Sequence, residues 1–227
     1  MEATTTSSTF LFCDLVGFTA LADEQGDQRA AEVAAGLYSA VRPLLAPYGA
    51  EEIKTIGDAM MLRCPEAGAA IRLGVQIVDE LGAAPALPPV RVGVHTGPAI
   101  HSDGDWYGAT VNVAARLCSA AGGGEVLVSD QTRRGAERLR GITWGEERLH
   151  WLKNVTRPVG AHVALGRAPA TGLAGIRALA PGLRRWVAAA AVGAGRRLSA
   201  SARRAVVNLS CPSSSLSPPL PPSRWAP

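Results

Sequence analysis

The sequence predicts an α+β fold in which helices pack on a mostly antiparallel sheet. Strand-like and helix-like periodicity alternate as βαββαβ and then αβαββ. The length of 227 residues, 47% of them hydrophobic, allows one sizeable domain with an extension, or two small domains. Charge favours the first arrangement: residues 1–165 contain all 19 acidic and 14 of the 23 basic residues, a net charge of −5, whereas residues 166–227 carry +9. We therefore expect a flexible N-terminus (1–8), a folded domain (9–165) and a tail (166–227).

Each predicted element follows from a local pattern. Thr9–Asp14 is short, aromatic and aliphatic, which is typical of a buried strand. Leu21–Tyr48 repeats Ala, Leu and Val at helical spacing, and Pro43 and Pro47 break or end that helix. Gly57 marks a hairpin turn. The predicted strands are Thr9–Asp14, Glu51–Ile56, Ala59–Cys64, Val90–His95, Glu125–Ser129, Ile142–Leu152 and Val159–Leu165, and the predicted helices are Leu21–Tyr48, Pro65–Leu81, Gly108–Ala121 and Asp130–Leu139.

The tail differs from the domain in composition. It is rich in Ala, Gly and Arg and then in Ser and Pro, which predicts disorder from about residue 205 and a short basic amphipathic helix near 183–198. A solvated low-complexity extension is the preferred interpretation. The alternatives are contact with an anionic membrane surface or nucleic acid, and an abnormal C-terminus from a reading-frame error. We expect no specific nucleic-acid partner.

The cysteines and the chain start bear on the cellular compartment. Cys13, Cys64, Cys118 and Cys211 show no CxxC spacing, which favours buried free thiols over a disulfide framework or a zinc site. The Thr/Ser-rich start lacks the features of a signal peptide, and no apolar run reaches the length of a membrane span. We therefore expect a cytoplasmic protein.

Two carboxylates, Asp14 and Asp58, each follow an apolar strand-like run. Carboxylates together with substrate phosphates are the usual ligands of magnesium at nucleotide-processing sites. Each residue alone would pass for a turn residue or a strand-end cap. Farther along the chain, Asn112 and Arg116 are four residues apart on a predicted helix and therefore share one face. An amide beside a permanent cation suits a sugar hydroxyl and a phosphate, although many exposed helices carry such a pair.

In combination, four segments resemble the catalytic domain of class III nucleotidyl cyclases over residues 9–165. The family fold implied by this resemblance is a ferredoxin-like (βαββαβ) palm-like sandwich, and two such domains are expected to face each other head to tail as a homodimer. The segments are Phe12-Cys13-Asp14-Leu15-Val16-Gly17-Phe18-Thr19, Ile53-Lys54-Thr55-Ile56-Gly57-Asp58, Asp105-Trp106-Tyr107-Gly108 through Asn112 and Arg116, and Leu152-Lys153-Asn154-Val155-Thr156-Arg157-Pro158-Val159.

The resemblance implies a metal and phosphate site at the first two segments. Asp14 and Asp58 match the two metal-binding aspartates, which hold two Mg²⁺ or Mn²⁺ ions per site in the family. The backbone at Gly17 and Phe18 would lie under the phosphates, where a glycine permits close approach.

The resemblance also implies which residues contact the base, the ribose and the transition state. Lys54 and Asp105 match the base-reading pair, with Asp103 as a nearby alternative to Asp105. A cation plus a carboxylate suits adenine, which offers an acceptor at N1 and a donor at N6, so the implied substrate is ATP. Asn112 matches the residue that orients the ribose, and Arg116 the residue that neutralises charge in the transition state.

Two positions depart from the family pattern, and three functions stay open. Pro98 stands where some members have a phosphate-binding arginine, so Lys153 is a candidate for the triphosphate. The short stretch from Pro98 to Asp105 is expected to weaken the dimer. The predicted function is an adenylate cyclase that forms cyclic AMP and pyrophosphate at a homodimer interface. The alternatives are a guanylate cyclase and a catalytically silent module that binds a nucleotide or a partner.

Overall fold

A computed structural model of the protein describes residues 4–82, 87–136, 139–153 and 155–166. Within these residues, nine strands and five α-helices alternate along the chain, with a 3₁₀ turn at Ala46–Tyr48. The strands are β1 (Thr4–Leu15), β2 (Glu51–Ile56), β3 (Ala59–Cys64), β4 (Val90–Ser102), β5 (Asp105–Tyr107), β6 (Val126–Ser129), β7 (Ile142–Trp144), β8 (Arg148–His150) and β9 (Val159–Gly166). The helices are α1 (Phe18–Gln25), α2 (Asp27–Leu45), α3 (Ala67–Gly82), α4 (Ala109–Ala120) and α5 (Asp130–Gly135).

The strands form one mixed sheet with the order β2-β3-β1-β4-β6-β9-β7, in which β5 pairs with β4 and β8 with β9. The pairing of β4 with β6 is parallel, and the other recorded pairings are antiparallel. The prediction of an α+β sandwich on a mostly antiparallel sheet is confirmed. Strand β1 lies at the centre, so its C-terminal end is held between β3 and β4.

Alternate residues of the central strands point to opposite faces, and each face carries helices. Leu11, Cys13 and Leu15 of β1 pack with the apolar sides of α2 and α3 in the larger core cluster. Phe10 and Phe12 point the other way, into a smaller cluster that includes residues of β5 and α4. The central sheet is therefore covered on both sides, and residues 10–13 of β1 are consecutively apolar for that reason.

Helix α4 packs very closely on β4, and Gly93 makes this possible. A Cβ atom placed on Gly93 would lie 2.0 Å from the backbone nitrogen of Cys118. Since real Cβ contacts are never so short, any side chain here would push α4 off the sheet. The thiol of Cys118 also donates to the Arg91 carbonyl over 3.5 Å. The position of α4 is therefore fixed along this part of β4.

Several predicted boundaries are wrong for identifiable reasons. Strand β1 begins at Thr4 because residues 4–8 pair with β4, so most of the predicted flexible N-terminus belongs to the sheet. The single helix predicted over Leu21–Tyr48 is two helices that meet at Gly26, whose φ of 84° no helix accommodates. Pro43 lies inside α2, which continues to Leu45.

Other differences concern the second half of the domain. Strand β4 extends past the predicted end at His95 to Ser102, and it forms a hairpin with the unpredicted strand β5. The strand predicted over Ile142–Leu152 is two short strands, β7 and β8. Helix α5 ends at Gly135, four residues before the predicted end.

The remaining compositional predictions have mixed outcomes. Cys13, Cys64 and Cys118 are buried free thiols, as predicted, whereas Cys211 lies outside the described residues. The tail from residue 167, with its predicted basic helix near 183–198, also lies outside them. Among the described residues, no helix combines the length and apolar character needed to cross a bilayer.

Candidate active site

The two predicted metal ligands, Asp14 and Asp58, lie side by side. Asp14 is at the C-terminal end of β1, and Asp58 is in the β2–β3 turn, where Gly57 adopts a φ of 59°. Burial, a hydrogen bond to Asp14 and the charge of Asp14 raise the pKa of Asp58 from its ordinary value to about 6. The two carboxylates therefore repel each other, and a cation between them would relieve this repulsion.

Tyr38 of α2 holds the turn that carries Asp58. Its hydroxyl donates to the Gly57 carbonyl. Burial, and next the charge of Asp58, raise the pKa of the Tyr38 phenol above its ordinary value, which keeps it a donor. The hairpin tip is thus attached to the helix layer, so the position of Asp58 is set by tertiary contacts as well as by the turn.

The Asp14 carboxylate is paired with Arg91 of β4, a residue that the sequence patterns did not single out. Arg91 Nε and Nη2 both donate to Asp14 Oδ2, at 2.9 and 2.5 Å. The side chains are only 24% and 17% exposed, so this ion pair is partly shielded from solvent. The signal available in the sequence was a lone charge in the otherwise apolar run Val90–Val94.

The backbone predicted to lie under phosphates forms the start of α1. Gly17 precedes the helix with φ 79° and ψ 16°, a left-handed conformation that favours glycine. A Cβ atom on Gly17 would meet no atom within 4 Å, so the space in front of it is open. Phe18 begins the helix, and its side chain packs against the core. The first N–H groups of α1 lack partners within the helix, and such groups suit phosphate oxygens.

The donor set at Asp14 and Asp58 fits magnesium or manganese. Both side chains offer hard oxygen ligands, as these ions prefer. Among the residues that the structure describes, no group of three or more His, Cys, Asp or Glu side chains is arranged to hold a metal. A cation at this site would need further ligands from elsewhere, and nucleotide phosphates and water supply oxygen ligands of the right type.

The predicted base-reading residues, Lys54 and Asp105, form an ion pair with each other. Lys54 Nζ donates to Asp105 Oδ2, and the Trp106 backbone N–H donates to Asp105 Oδ1 over 2.8 Å. Burial acts to raise the pKa of Asp105, but these hydrogen bonds outweigh it and leave the pKa below its ordinary value. Asp103 lies instead in an exposed turn with φ 53°. The pairing with Lys54 favours Asp105 over this alternative.

A bulge in β2 directs Lys54 toward its partner. Glu52 pairs with Leu62, but the next pair is Lys54 with Met61, so one residue is left over. Paired residues project to the same side of a sheet, and Met61 belongs to the cluster on the α4 side. Strict alternation would have placed Lys54 opposite Met60, on the α2 and α3 side.

Trp106 anchors the β4–β5 hairpin that carries Asp105. Trp106 is 8% exposed, and its ring meets Phe10 edge to face at 5.5 Å between centroids. The Arg63 guanidinium lies 4.7 Å above the same ring. Tyr107 is half exposed, and Lys54 Nζ lies 5.9 Å from its ring centroid. Trp106 is therefore a core residue, while the surface of Tyr107 is open to a ligand or a partner.

Asn112 and Arg116 both lie on the exposed face of α4. Their spacing on one face is as predicted. Neither forms an ion pair or a side-chain hydrogen bond with any residue in the described ranges. Their roles toward ribose and phosphate are carried by the resemblance alone, and both side chains are available to a ligand.

The structure also gives the positions of Lys153, Pro98 and His95. Lys153 is exposed in the loop after β8. Pro98 is exposed on β4, and its carbonyl accepts from Thr110 Oγ1 at 2.6 Å. His95 on β4 is partly buried: its Nδ1 lies 2.7 Å from Ser129 Oγ, and burial lowers its pKa to about 4.

In one chain, four of the predicted site residues therefore form two charged pairs. Asp14 and Asp58 lie together at the end of β1, and Lys54 pairs with Asp105 on the α4 side of the sheet. Within the described part of the chain, no hydrogen bond or ion pair joins one pair to the other.

Comparison with known proteins agrees with this fold. The family described as the adenylate and guanylate cyclase catalytic domain matches residues 2–144. A pH-sensitive adenylate cyclase of Mycobacterium tuberculosis is 36% identical over 155 residues, which is 66% of this chain and 39% of that protein. An adenylate cyclase of Streptomyces griseus is 33% identical over 117 residues, 52% of this chain and 29% of that protein. The chain thus spans well under half the length of either relative.

Among solved structures, the adenylyl cyclase CyaB from P. aeruginosa superposes with a TM-score of 0.64 at 23% identity. The match covers 76% of this chain and all of that one, which establishes a shared fold. The family match extends over more than half of the sequence and includes Asp14, Asp58 and Arg116. The chain belongs to the adenylate and guanylate cyclase catalytic domain family.

Proposed function

We propose that the protein is an adenylate cyclase that converts ATP to 3′,5′-cyclic AMP and pyrophosphate. The observation that carries this proposal is the Lys54–Asp105 ion pair. The two residues that the family resemblance assigns to the base are adjacent, with opposite charges. Lys54 has donors left for adenine N1, and the Asp105 carboxylate has lone pairs left for the N6 amino group.

The same pair disfavours GTP. Guanine presents a donor at N1 and an acceptor at O6, so an acidic residue and a neutral donor would suit it. A lysine ammonium facing N1 would leave two donors in opposition, and burying such a mismatch is costly. The names of the relatives in M. tuberculosis and S. griseus agree with adenylate cyclase activity.

The reaction requires the ribose 3′-oxygen to attack the α-phosphorus. The new oxygen–phosphorus bond closes the ring, the bond to the β-phosphate oxygen breaks, pyrophosphate leaves with that electron pair, and the hydroxyl proton passes to solvent. Asp14 and Asp58 would hold two Mg²⁺ or Mn²⁺ ions. When bound, these ions lower the pKa of the 3′-hydroxyl and neutralise phosphate charge.

The chain's other residues would position the substrate and stabilise charge. The N–H groups that follow Gly17 would donate to the phosphates, and a Cβ atom on Gly17 would meet no atom within 4 Å, which leaves room for a ligand there. Asn112 would orient the ribose by hydrogen bonds. Arg116 would donate to the oxygens of the pentavalent phosphorus, where negative charge develops.

The active unit in this proposal is a homodimer. Family resemblance assigns the metal aspartates to one subunit and Lys54, Asp105, Asn112 and Arg116 to the other. This assignment agrees with the absence, within the described residues, of any hydrogen bond or ion pair between the two charged pairs. A symmetric dimer would then contain two complete sites, and a monomer none.

A silent binding module is the second candidate function. It is favoured by Pro98, which replaces an arginine that some family members use for phosphate. The presence of all six expected positions in one chain argues against it.

The test is cyclic nucleotide formation by the purified full chain with Mn²⁺, with ATP and GTP supplied separately over a range of protein concentrations. We expect cyclic AMP, at a rate that rises more steeply than linearly with protein. Formation of cyclic GMP from GTP, without cyclic AMP from ATP, would establish the guanylate cyclase alternative. No product from a folded, dimeric protein would establish the silent module.

A further inference from the structure

We propose that Arg91 is a positioning residue of the metal site: it fixes the Asp14 carboxylate and ties it to the C-terminal turn of α4. This inference deepens the proposed function and rests on it, because it concerns how the metal-binding carboxylate is held. Arg91 itself would touch neither the metal nor the substrate.

The ion pair between Arg91 and Asp14 has a constrained geometry. Two nitrogens of one planar guanidinium, Nε and Nη2, donate to the same oxygen of Asp14, at 2.9 and 2.5 Å. Both bonds go to Oδ2, so Oδ1 is left outside this ion pair. Two donors of one rigid, planar group hold Oδ2 in one place, which a single ammonium with freely rotating donors would do less firmly. The orientation of the other oxygen, Oδ1, is set as a consequence.

The Arg91 guanidinium makes a third hydrogen bond, to helix α4. Arg91 Nη1 donates to the Ser119 carbonyl at 3.0 Å. Ser119 lies in the last turn of α4, where carbonyls have no partner within the helix, and a cation there also complements the helix dipole. One guanidinium therefore connects the end of β1 with the end of α4.

Helix α4 packs tightly on β4 next to this hydrogen bond. The Arg91 carbonyl accepts from the Cys118 thiol, and Gly93 brings the Cys118 backbone against β4. Helix α4 cannot shift here without breaking these contacts. Since α4 also carries Asn112 and Arg116, Arg91 sets the metal carboxylate at a fixed place relative to both residues. In the proposed dimer these two residues serve the other site.

An ordinary structural ion pair would make the same contacts, so the test must detect ligand positioning. Hydrogen-bond partners of metal-ligating carboxylates typically contribute about 10- to 100-fold to metal affinity. Arg42 offers a matched control, because its Nε and Nη2 donate to the two oxygens of Glu52 at 2.7 and 2.9 Å. That pair joins α2 to β2 and includes neither carboxylate of the metal site. The Arg42 guanidinium also lies 5.8 Å from the Tyr38 ring centroid, but the hydrogen bond from Tyr38 to the Gly57 carbonyl does not involve Arg42.

The experiment is Mn²⁺ titration followed by electron paramagnetic resonance of the free ion, with 3′-deoxy-ATP present so that no reaction occurs. The proteins are the full chain and its Arg91→Met, Arg91→Lys, Arg42→Met and Asp14→Asn variants. We expect Arg91→Met to weaken Mn²⁺ binding about 10-fold. Arg91→Lys should recover only part of this loss, since it keeps the charge but not the two-point contact. Arg42→Met should bind Mn²⁺ like the unaltered chain.

Melting curves establish that each variant is folded, and Arg91→Gln replaces Arg91→Met if the latter does not fold. Unchanged or tighter Mn²⁺ binding in the folded Arg91 variants would overturn the proposal, as would full recovery by Arg91→Lys. Asp14→Asn separates the two levels of inference. If it weakens Mn²⁺ while Arg91→Met does not, only the role of Arg91 fails. If Asp14→Asn has no effect, the metal site of the proposed function fails as well.

Discussion

Two charged pairs in this domain are built on opposite principles. Asp14 and Asp58 are like charges held together at the end of the central strand, and the pKa of Asp58 is raised to about 6 as a result. Lys54 and Asp105 are opposite charges that satisfy each other, and the pKa of Asp105 is lowered. The first pair is incomplete without a further cation, whereas the second is complete by itself.

The two pairs differ in electrostatic energy: the two carboxylates repel each other, whereas Lys54 and Asp105 attract each other. Adjacent carboxylates are stable only if neighbours compensate, and here Arg91 supplies one compensating charge from β4. A cation ligand would supply the rest. The Lys54–Asp105 pair needs no such help and can offer its remaining donors and acceptors to a base. The first pair is thus suited to binding metal and the second to selecting a nucleotide.

Removing a carboxylate of the like-charged pair should have the largest effect. We expect Asp14→Asn and Asp58→Asn each to reduce cyclic AMP formation at least ~10³-fold, because metal stabilisation of the transition state is worth several kcal/mol. Initial rates with Mn²⁺ and ATP measure this. Asp103→Asn, at an exposed turn that tolerates Asn, is the control and should keep full activity. A comparable loss of activity in Asp103→Asn would show that the effect is not specific to Asp14 and Asp58.

Mixing two inactive variants tests whether the pairs serve different halves of a shared site. Arg116→Ala should lose activity about 10²-fold, as loss of one transition-state donor typically does. An equal mixture with Asp14→Ala should recover about a quarter of the original rate, because half of the dimers have one intact site of two. The rate is measured after the two proteins have exchanged subunits. A mixture no more active than its components would rule out the shared site.

Reversing the chemistry of the complementary pair should change selection rather than catalysis. Lys54→Glu combined with Asp105→Cys is expected to shift the ratio of kcat/KM for ATP and GTP toward GTP by about 10²-fold, since the mismatch then falls on adenine. Competition between the two nucleotides measures the ratio. A double variant that is slower with both nucleotides but equally selective would show that the base is read elsewhere.

The smallest effects should appear in stability, with opposite signs at the two pairs. In metal-free protein, Asp58 has a folded pKa of about 6 against an ordinary 3.8, so it binds extra protons when folded and its contribution to stability falls as pH rises from about 4 to 6. Asp58→Asn should therefore be more stable than the unaltered chain at pH 7, by about 1 kcal/mol after allowance for solvent screening, and equal at pH 4.

Asp105 should behave in the reverse way. Its lowered pKa contributes stability above its ordinary pKa, and this contribution is lost as the pH falls through the folded value. Asp105→Asn should be less stable than the unaltered chain at pH 7, with a deficit that shrinks in acid. Urea unfolding with a chelator present measures the free energy of unfolding of both variants at several pH values. If the difference from the unaltered chain changed with pH in the same direction for both variants, the contrast between the two pairs would be contradicted.

The local patterns were sufficient for much of the fold. The hairpin strands Glu51–Ile56 and Ala59–Cys64 have the predicted bounds, and α3 and α4 differ from the prediction by at most two residues at each end. The glycine turn at Gly57 and the spacing of apolar residues are short-range patterns, so they can be recognised in a single sequence. The start of β1 was missed because Thr4 to Ser8 are polar, and only pairing with β4 makes them a strand.

The sequence by itself determined which residues are candidates: two carboxylates after apolar runs, one of the only two lysines in the sequence, and an amide and an arginine on one helical face. Only the tertiary structure decided how they are arranged. The β2 bulge sends Lys54 to the α4 side, where it meets Asp105, although simple alternation predicts the other face. Arg91 reaches Asp14 from 77 positions away in the chain. Residue type and spacing are local properties, whereas register shifts and contacts between distant strands depend on how the whole sheet packs.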